Sequence, residues 1–384
     1  MRKKDSVILL VGSSDTCPDI RYVTGLQVND PVVLLLRGRK RWLVVPGLEQ
    51  GRAARVARGV TVTTPRGLGL RGETRRKQGG WALGLLRKLG IKSVCVAGTF
   101  PFGVARYLER RGIVVRACGK PLFPQRAVKG KVELARIREA QRAAVAAMCC
   151  AVKLIGEARI DAGGVLRAGG RALESAAVRA AINKSLLERG CFCRDAIVAC
   201  GAQAADPHEV GEGPLRAGES IVIDIFPQHL GHGYWGDLTR TVVRGRASER
   251  LRSMYRAVRA AQRAALATVR PGVKAKSVHE RAAATLRERG FKTELRDGRP
   301  VGFFHGTGHG LGLEVHEAPA VSTAEGRLRS GNVITVEPGL YYPEAGGVRI
   351  EDTVVVTPSG WRYVAPCERR LEIDGDAADA RSES

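Results

Sequence analysis

No apolar run in this 384-residue sequence approaches the ~20 residues needed to span a bilayer, so no membrane-spanning helix is expected. No secretory leader is expected either. Residues 1–6 are basic, but the apolar stretch that follows, residues 7–11, is too short for a secretory h-region, and no small-residue cleavage site comes after it. That stretch reads as a first strand, and a cytoplasmic protein is expected. The nine cysteines lack zinc-type spacing: Cys149-Cys150 and Cys191-Phe-Cys193 fit none of the usual patterns. A disulfide framework is not expected at this length in a reducing compartment. Cys149 and Cys150, in an alanine-rich helical stretch, read as small apolar fillers. Acidic residues are also short, 38 against 63 lysines and arginines, leaving a net charge of +25. Such a charge attracts polyanions. The arginines are nevertheless spread along the whole chain, as at Arg252, Arg256, Arg259 and Arg263, so solvated helix faces are expected rather than a nucleic-acid partner.

What is present is enough for two domains, each with its own core. Strand patterns at residues 6–12, 31–36, 41–45, 60–63, 93–97 and 113–115 alternate with helical patterns at 49–57, 75–88 and 102–110, an α/β layout. The periodicity breaks in the Pro-rich, basic stretch 121–131. Beyond it come helices at 132–155 and 171–189 and strands at 192–199, 220–226 and 234–243. Helices at 247–269 and 277–289 and strands at 332–341 and 348–356 follow. Helix, helix, strands, twice over, suggests a duplicated α+β unit. The expected domains are 1–125, a smaller α/β unit, and 126–374, with a flexible tail at 375–384.

Three of the seven histidines fall in one glycine-spaced segment, His305-Gly-Thr-Gly-His309-Gly-Leu-Gly-Leu-Glu-Val-His316. Imidazole at this density signals metal binding or proton transfer. Around it, four apolar strand-like runs are each interrupted by an acid: Asp224, Asp237, Glu337 and Glu351. Side chains alternate faces along a strand. Asp224 therefore shares a face with Val222 and Phe226, and Asp237 with Thr239 and Thr241. Glu337 goes with Thr335, and Glu351 with Arg349 and Thr353. Each run thus offers one apolar face and one carboxylate. Taken singly, each acid could be a turn residue or an arginine's salt-bridge partner. Four converging on one cavity would repel one another unless cations held them. Four carboxylates balance two divalent ions, and a histidine nitrogen biases the site toward transition metals. Two such ions, bridged by carboxylates, can share an activated hydroxide and hydrolyse amides.

With these residues the chain resembles the pita-bread metallopeptidase family, most closely its Xaa-Pro aminopeptidases and prolidases, over nearly its whole length. The stretch Asp15-Thr-Cys-Pro-Asp-Ile-Arg-Tyr-Val-Thr-Gly25 resembles the opening of that family's creatinase-like N-terminal domain. Residues 126–133 resemble the start of its catalytic domain. The resemblance implies five metal ligands, Asp224, Asp237, His309, Glu337 and Glu351, with Asp237 and Glu351 bridging two divalent ions, manganese first and cobalt or zinc next. It makes His208 the substrate-facing histidine and His305 and His316 the flanking histidines. Arg349 is the arginine two residues before the last ligand, and Glu337 doubles as proton shuttle. The implied activity is removal of the residue before a proline at position two of a peptide, by a homodimer. A prolidase acting on Xaa-Pro dipeptides, or a hydrolase or lyase of a small non-peptide metabolite, are the alternatives on the same scaffold. An inert module binding nucleic acid or a ribosomal partner is disfavoured by retention of all five ligands. Phe226-Pro227 and the slightly long 224–237 loop, with His229 and His232, depart from the family pattern and bear on cavity shape.

Overall fold

The computed structural model describes residues 7–119 and 121–374. The chain divides into two compact units, Met1–Pro124 and Gln125–Ser384. The tail expected at 375–384, and Ser6 of the first expected strand, lie outside the described residues.

Among the described residues the first unit has a six-stranded sheet. Its strands are β1 (Ile8–Gly12), β2 (Val32–Arg37), β3 (Lys40–Val44), β4 (Thr61–Thr63), β5 (Ser93–Val96) and β6 (Val114–Ala117), in the order β4-β3-β2-β1-β5-β6. Alternation along the strands splits their side chains between two cores. Leu9, Val11, Val33 and Leu35 pack under a helix spanning Gln78–Lys88, and Leu10, Val32, Leu34 and Leu36 pack with Ile20 and Ala53 on the other face. Three local expectations fail here. The helix expected at 75–88 breaks at an extended Lys77 into Gly72–Arg76 and Gln78–Lys88, where Gly80 comes so close to Thr74 that a Cβ would lie 2.2 Å from its carbonyl oxygen. A helix at Pro18–Thr24 was not foreseen. Cys95 and Cys118 form a disulfide, against the expectation of none. Neighbouring parallel strands bring their Cα atoms to 6.1 Å, inside the range a disulfide needs.

The second unit repeats one motif. In its first half, α1 (Lys131–Glu157) and α2 (Ser175–Leu187) cover strands β7 (Ile197–Cys200), β8 (Ile221–Ile225) and β9 (Leu238–Arg244). In its second, α3 (Glu249–Thr268) and α4 (Ala275–Glu288) cover β10 (Gly308–Gly310), β11 (Glu317–Val321) and β12 (Val333–Val336). The same half continues with β13 (Gly339–Tyr342), β14 (Gly346–Arg349) and β15 (Asp352–Thr357). β7, β8 and β9 are antiparallel neighbours; β11, β10, β12 and β15 follow one another in a second sheet; β13 and β14 form a hairpin. Helix α3 shows why the sequence folds so. Leu251, Met254, Tyr255, Val258, Ala261, Ala265 and Leu266 recur at helical spacing and are buried, while Arg256, Arg259 and Arg263 point to solvent and Ser248 caps the N-terminus. The helix expected from residue 171 starts at Ser175, because Gly169 and Gly170, both at positive φ, turn Arg171–Ala172 into a hairpin strand. Cys149 is exposed and Cys150 half-buried, so neither fills a core as expected. No helix among the described residues is long and apolar enough to cross a membrane.

The acids interrupt the strands literally. Asp237 precedes β9, Glu337 and Pro338 separate β12 from β13, and Glu351 lies between β14 and β15, so the long strands expected at 234–243, 332–341 and 348–356 are each shortened or split. Only Asp224 lies within a strand. At such junctions the backbone is free to aim a side chain that a regular ladder would fix.

Gly347 on β14 packs against the turn Gly201–Ala205; a Cβ there would lie 1.7 Å from the Ala204 carbonyl oxygen. Gly347→Ala should therefore lower stability by about 1–3 kcal/mol or more through overpacking. Gly103→Ala, in a helix with open space around it, should be neutral or stabilising by up to about 1 kcal/mol. Thermal melts of the two variants check this, and equal melting temperatures would refute the packing argument.

Candidate metal centre

All nine residues singled out in the sequence, Asp224, Asp237, His309, Glu337, Glu351, His208, His305, His316 and Arg349, line one cavity of about 680 Å³. Phe226, Phe304 and Val315 supply part of its apolar wall.

The five candidate ligands come from both halves of the second unit. β8 presents Asp224 while Ile221, Ile223 and Ile225 enter the core on the other face. The seam between the halves is made by threonine hydroxyls. Thr239 Oγ1 donates to Glu351 Oε2 at 2.7 Å, Thr241 Oγ1 donates to the Arg349 carbonyl at 2.9 Å and accepts from the Arg349 N–H at 2.9 Å, and the Glu351 N–H reaches the Thr239 carbonyl at 3.1 Å. Thr335 Oγ1 donates to Glu337 Oε1 at 3.1 Å.

Two buried glutamines, one on the long first helix of each half, hold the backbone behind the acids. Gln141 on α1 brackets Asp237, its Nε2 donating to the Asp237 carbonyl and its Oε1 accepting the Asp237 N–H, both at 2.8 Å. Gln262 on α3 donates to the carbonyls of Val336 and Ile350, each one residue before a glutamate, at 3.1 Å. Arg240 adds a third fastening, donating to the Glu351 carbonyl at 2.5 Å and to Asp352 at 2.8 Å. None of the three was foreseen; a lone amide on an alanine-rich, otherwise apolar helix face was the available signal.

The His309 geometry fixes the role of one nitrogen. Its Nδ1 faces the Gly310 carbonyl at 3.2 Å and must be the donor there, and its Nε2 faces Glu337 Oε1, 3.2 Å away, and Asp237 Oδ2, 3.6 Å away. Burial acts against it, but the hydrogen bond and charge of Glu337 raise the His309 pKa, so Nε2 holds a proton toward Glu337 that a metal would replace. Ligand atoms of Asp237, His309 and Glu351 all lie within 4.8 Å of one another. Asp224 Oδ1 and Glu351 Oε1 are buried with no hydrogen-bond partner among the described residues. Burial, together with the charges of Glu351, Asp224 and Glu337, pushes the Asp237 carboxyl well above its ordinary range; burial and the charges of Glu337 and Asp224 do the same to Glu351. Burial also acts to raise Glu337, but hydrogen bonding and charge from His309, with His305 and Arg349 behind it, bring it down to about 2. Orphaned acceptors and mutually opposed carboxylates beside an imidazole nitrogen are what a cation would satisfy, so the residues fit divalent metal.

The other histidines differ in use. His305 is buried with both nitrogens engaged, Nδ1–H to the Gly306 carbonyl at 2.7 Å and Nε2 to the Tyr341 hydroxyl at 2.9 Å; Arg349 in turn donates to that hydroxyl at 3.0 Å and to Asp224 at 2.7 Å. His305 and Arg349 therefore position other groups here and leave no free nitrogen for a substrate. His316 lies edge-on to His309, ring centroids 4.2 Å apart, and burial followed by the charge of His309 lowers its pKa, so it is neutral near pH 7. His208 is exposed on the opposite loop. The loop histidines 229 and 232 stack on each other at 3.7 Å outside this cavity, beside Glu139. Their Nδ1 atoms accept backbone N–H groups of the loop.

Residues 135–358 match Metallopeptidase family M24. The chain belongs to metallopeptidase family M24. Across 361 residues it is 31% identical to an Xaa-Pro dipeptidase of Pyrococcus horikoshii, covering 92% of each chain. The crystal structure of the prolidase from that organism superposes with a TM-score of 0.79 at 28% identity, over 96% of this chain and 95% of that one. The X-Pro aminopeptidase of Thermotoga maritima superposes at 0.80 over 96% and 97% of the two chains, but at 23% identity, which shows the fold alone. The M24 chain is thus an α+β metallopeptidase with the pita-bread fold, and use of divalent metal comes with the family.

Asp237→Asn separates repulsion from ligation. In the metal-free protein the folded Asp237 holds its proton above the unfolded value of about 4, so its contribution to stability falls as pH rises from there. The asparagine variant escapes that loss. Its melting temperature relative to wild type should climb between about pH 4 and 7 without metal. Adding manganese should reverse the order, because wild type gains about 2.7 kcal/mol at 100 times Kd and the variant gains less. A pH-independent difference, or equal metal stabilisation, contradicts this electrostatic account.

Proposed function

We propose that the protein is an Xaa-Pro dipeptidase, a dinuclear metal-dependent exopeptidase that hydrolyses the bond before a C-terminal proline. The observation that carries the reading is the cluster of Asp237, His309 and Glu351 ligand atoms within 4.8 Å of one another, with partnerless oxygens on Asp224 and Glu351, in a cavity that His208 also lines. Asp224, Asp237, His309, Glu337 and Glu351 would hold two divalent ions, manganese foremost, with Asp237 and Glu351 shared. The sequence pointed first to longer peptides and an aminopeptidase. The near full-length likeness to an Xaa-Pro dipeptidase favours dipeptides instead.

Bound divalent ions supply Lewis acidity, acidifying water and polarising the scissile carbonyl. Glu337, kept ionised beside His309, takes the proton of the attacking water and passes it to the departing proline nitrogen. Neutral His316 offers an N–H to the oxygen that becomes negative in the transition state. His208 steadies the proline end near the leaving nitrogen. The Arg349–Tyr341–His305 chain fixes Asp224 from behind.

Assays of Xaa-Pro dipeptides and Xaa-Pro-Xaa tripeptides with manganese, cobalt or zinc test the reading. Dipeptides should be hydrolysed with the higher kcat/KM. A tripeptide preference would make the protein an Xaa-Pro aminopeptidase, and turnover of neither would overturn the peptidase assignment. His208→Ala should cut turnover by ~10²–10³-fold with metal content unchanged. Glu337→Gln should retain partial metal content and lose ~10²–10⁴-fold in rate. Substantial activity in a fully metallated Glu337→Gln protein would remove Glu337 as the base.

A further inference from the structure

Positive charge is divided unevenly between the two units. Residues 1–124 hold 24 lysines and arginines against 7 acids, a net +17, while residues 125–384 hold 39 against 31, a net +8. The first unit thus carries most of the excess on the shorter stretch of chain, a concentration that the spread of arginines along the sequence conceals. Asymmetry of this kind points to a polyanionic partner.

Within the first unit three cations converge. The helix Gln78–Lys88 buries Trp81, Ala82, Leu85 and Leu86, and Gly80, Gly84 and Lys88 recur along it at every fourth residue, on one face. Gly80 meets Thr74, and at Gly84 a Cβ would lie 2.8 Å from a methyl of Leu70. That bare face lets the preceding segment cross the helix closely, which brings Arg71 to the same recess as Arg87 and Lys88 of the last helical turn. The three line one open cavity of about 750 Å³. All three are exposed and form no ion pair among the described residues. Glu73, the one acid between residues 50 and 108, pairs with Lys77 at 3.6 Å. Among the described residues the recess is lined by no carboxylate, no side-chain amide and no aromatic ring.

We propose that this recess binds the phosphate backbone of a nucleic acid without reading its bases. Arg71, Arg87 and Lys88 supply the charge that phosphates meet, and such contacts carry affinity but no sequence information. Bases are read chiefly by amides, carboxylates and bidentate arginines in a groove, or stacked on aromatic rings, and the recess offers no amide, carboxylate or ring. Its concavity favours a phosphodiester chain, which can follow the cations inward, over the flat face of a lipid bilayer. This binding is independent of the peptidase chemistry in the second unit.

Fluorescence anisotropy of the full-length protein with labelled DNA duplexes of differing sequence tests this. The duplexes should bind alike, and log K should fall against log salt with a slope of about −0.9 per phosphate met. Changing Arg71→Glu, Arg87→Glu and Lys88→Glu together should weaken binding at least about tenfold and flatten the slope by about 3. Changing Arg256→Glu, Arg259→Glu and Arg263→Glu together on α3 lowers the net charge equally, and should leave the affinity within about threefold of wild type. On the wild type alone, bound duplex should shield Lys88 from acetylation, read by mass spectrometry, and leave Lys153 on α1 as reactive as before. Equal losses in the two variants would reduce the binding to attraction by net charge and overturn the proposal. So would an unshielded Lys88, the absence of duplex binding at low salt, or binding to phosphatidylserine vesicles in place of the duplex.

Discussion

Like charges forced together at buried positions are the constraint around which the second unit is organised. Asp237 and Glu351 are buried; beyond burial, the charge of Glu351 raises the Asp237 pKa, and the charges of Glu337 and Asp224 raise that of Glu351. Two carboxylates at such depth cost several kcal/mol unless something compensates. The chain compensates only in part. Arg349 neutralises Asp224, Thr239 and Thr335 each give one hydroxyl, and His309 leans on Glu337. The remaining acceptors, Asp224 Oδ1 and Glu351 Oε1, are left for a cation. Everything behind them serves to stop the acids from relaxing apart: the two buried glutamines, the Arg240 fastening and the hydroxyl seam. The site is therefore rigid where it is repulsive, a preorganisation that catalysis by fixed charges requires.

Much of this was legible because strand alternation is a strict rule. Asp224 opposite Ile221, Ile223 and Ile225 admits one orientation only once those three enter the core, and the threonines two residues from Asp237, Glu337 and Glu351 follow the same logic. What could not be read was where the strands stop. An acid followed by proline at 337–338, or an acid between two strands at 351, looks like one long strand in sequence, and only tertiary hydrogen bonds show the break. Gln141 and Gln262 were invisible for a related reason. A single amide on a helix face gives no sign of its partner 74–96 residues away in sequence. The Cys95–Cys118 disulfide depended on the register of two parallel strands, which composition does not carry. Cys149 was misjudged because a thiol in an alanine-rich helix was read as a small apolar filler, whereas it sits on an exposed part of that helix.

Substrate choice rests on a different kind of argument from metal binding. The ligand geometry is a local consequence of burial and charge. Preference for a dipeptide depends on how far the cavity extends beyond the proline, and Phe226 is among the residues that line it. The two conclusions can accordingly fail separately.

The hydroxyl seam limits how this chain can vary. Thr239 and Thr241 meet Glu351 and Arg349 in strict two-residue steps, and those steps set which face of each segment looks into the cavity. A single-residue insertion or deletion between 239 and 241, or between 349 and 351, would turn every following side chain to the opposite face. The turn at residues 343–345, which joins β13 to β14 outside the seam, carries no such restriction. Length variation among viable descendants of this sequence should therefore collect in turns of that kind, while the spacing along the seam stays fixed even where residue identities drift.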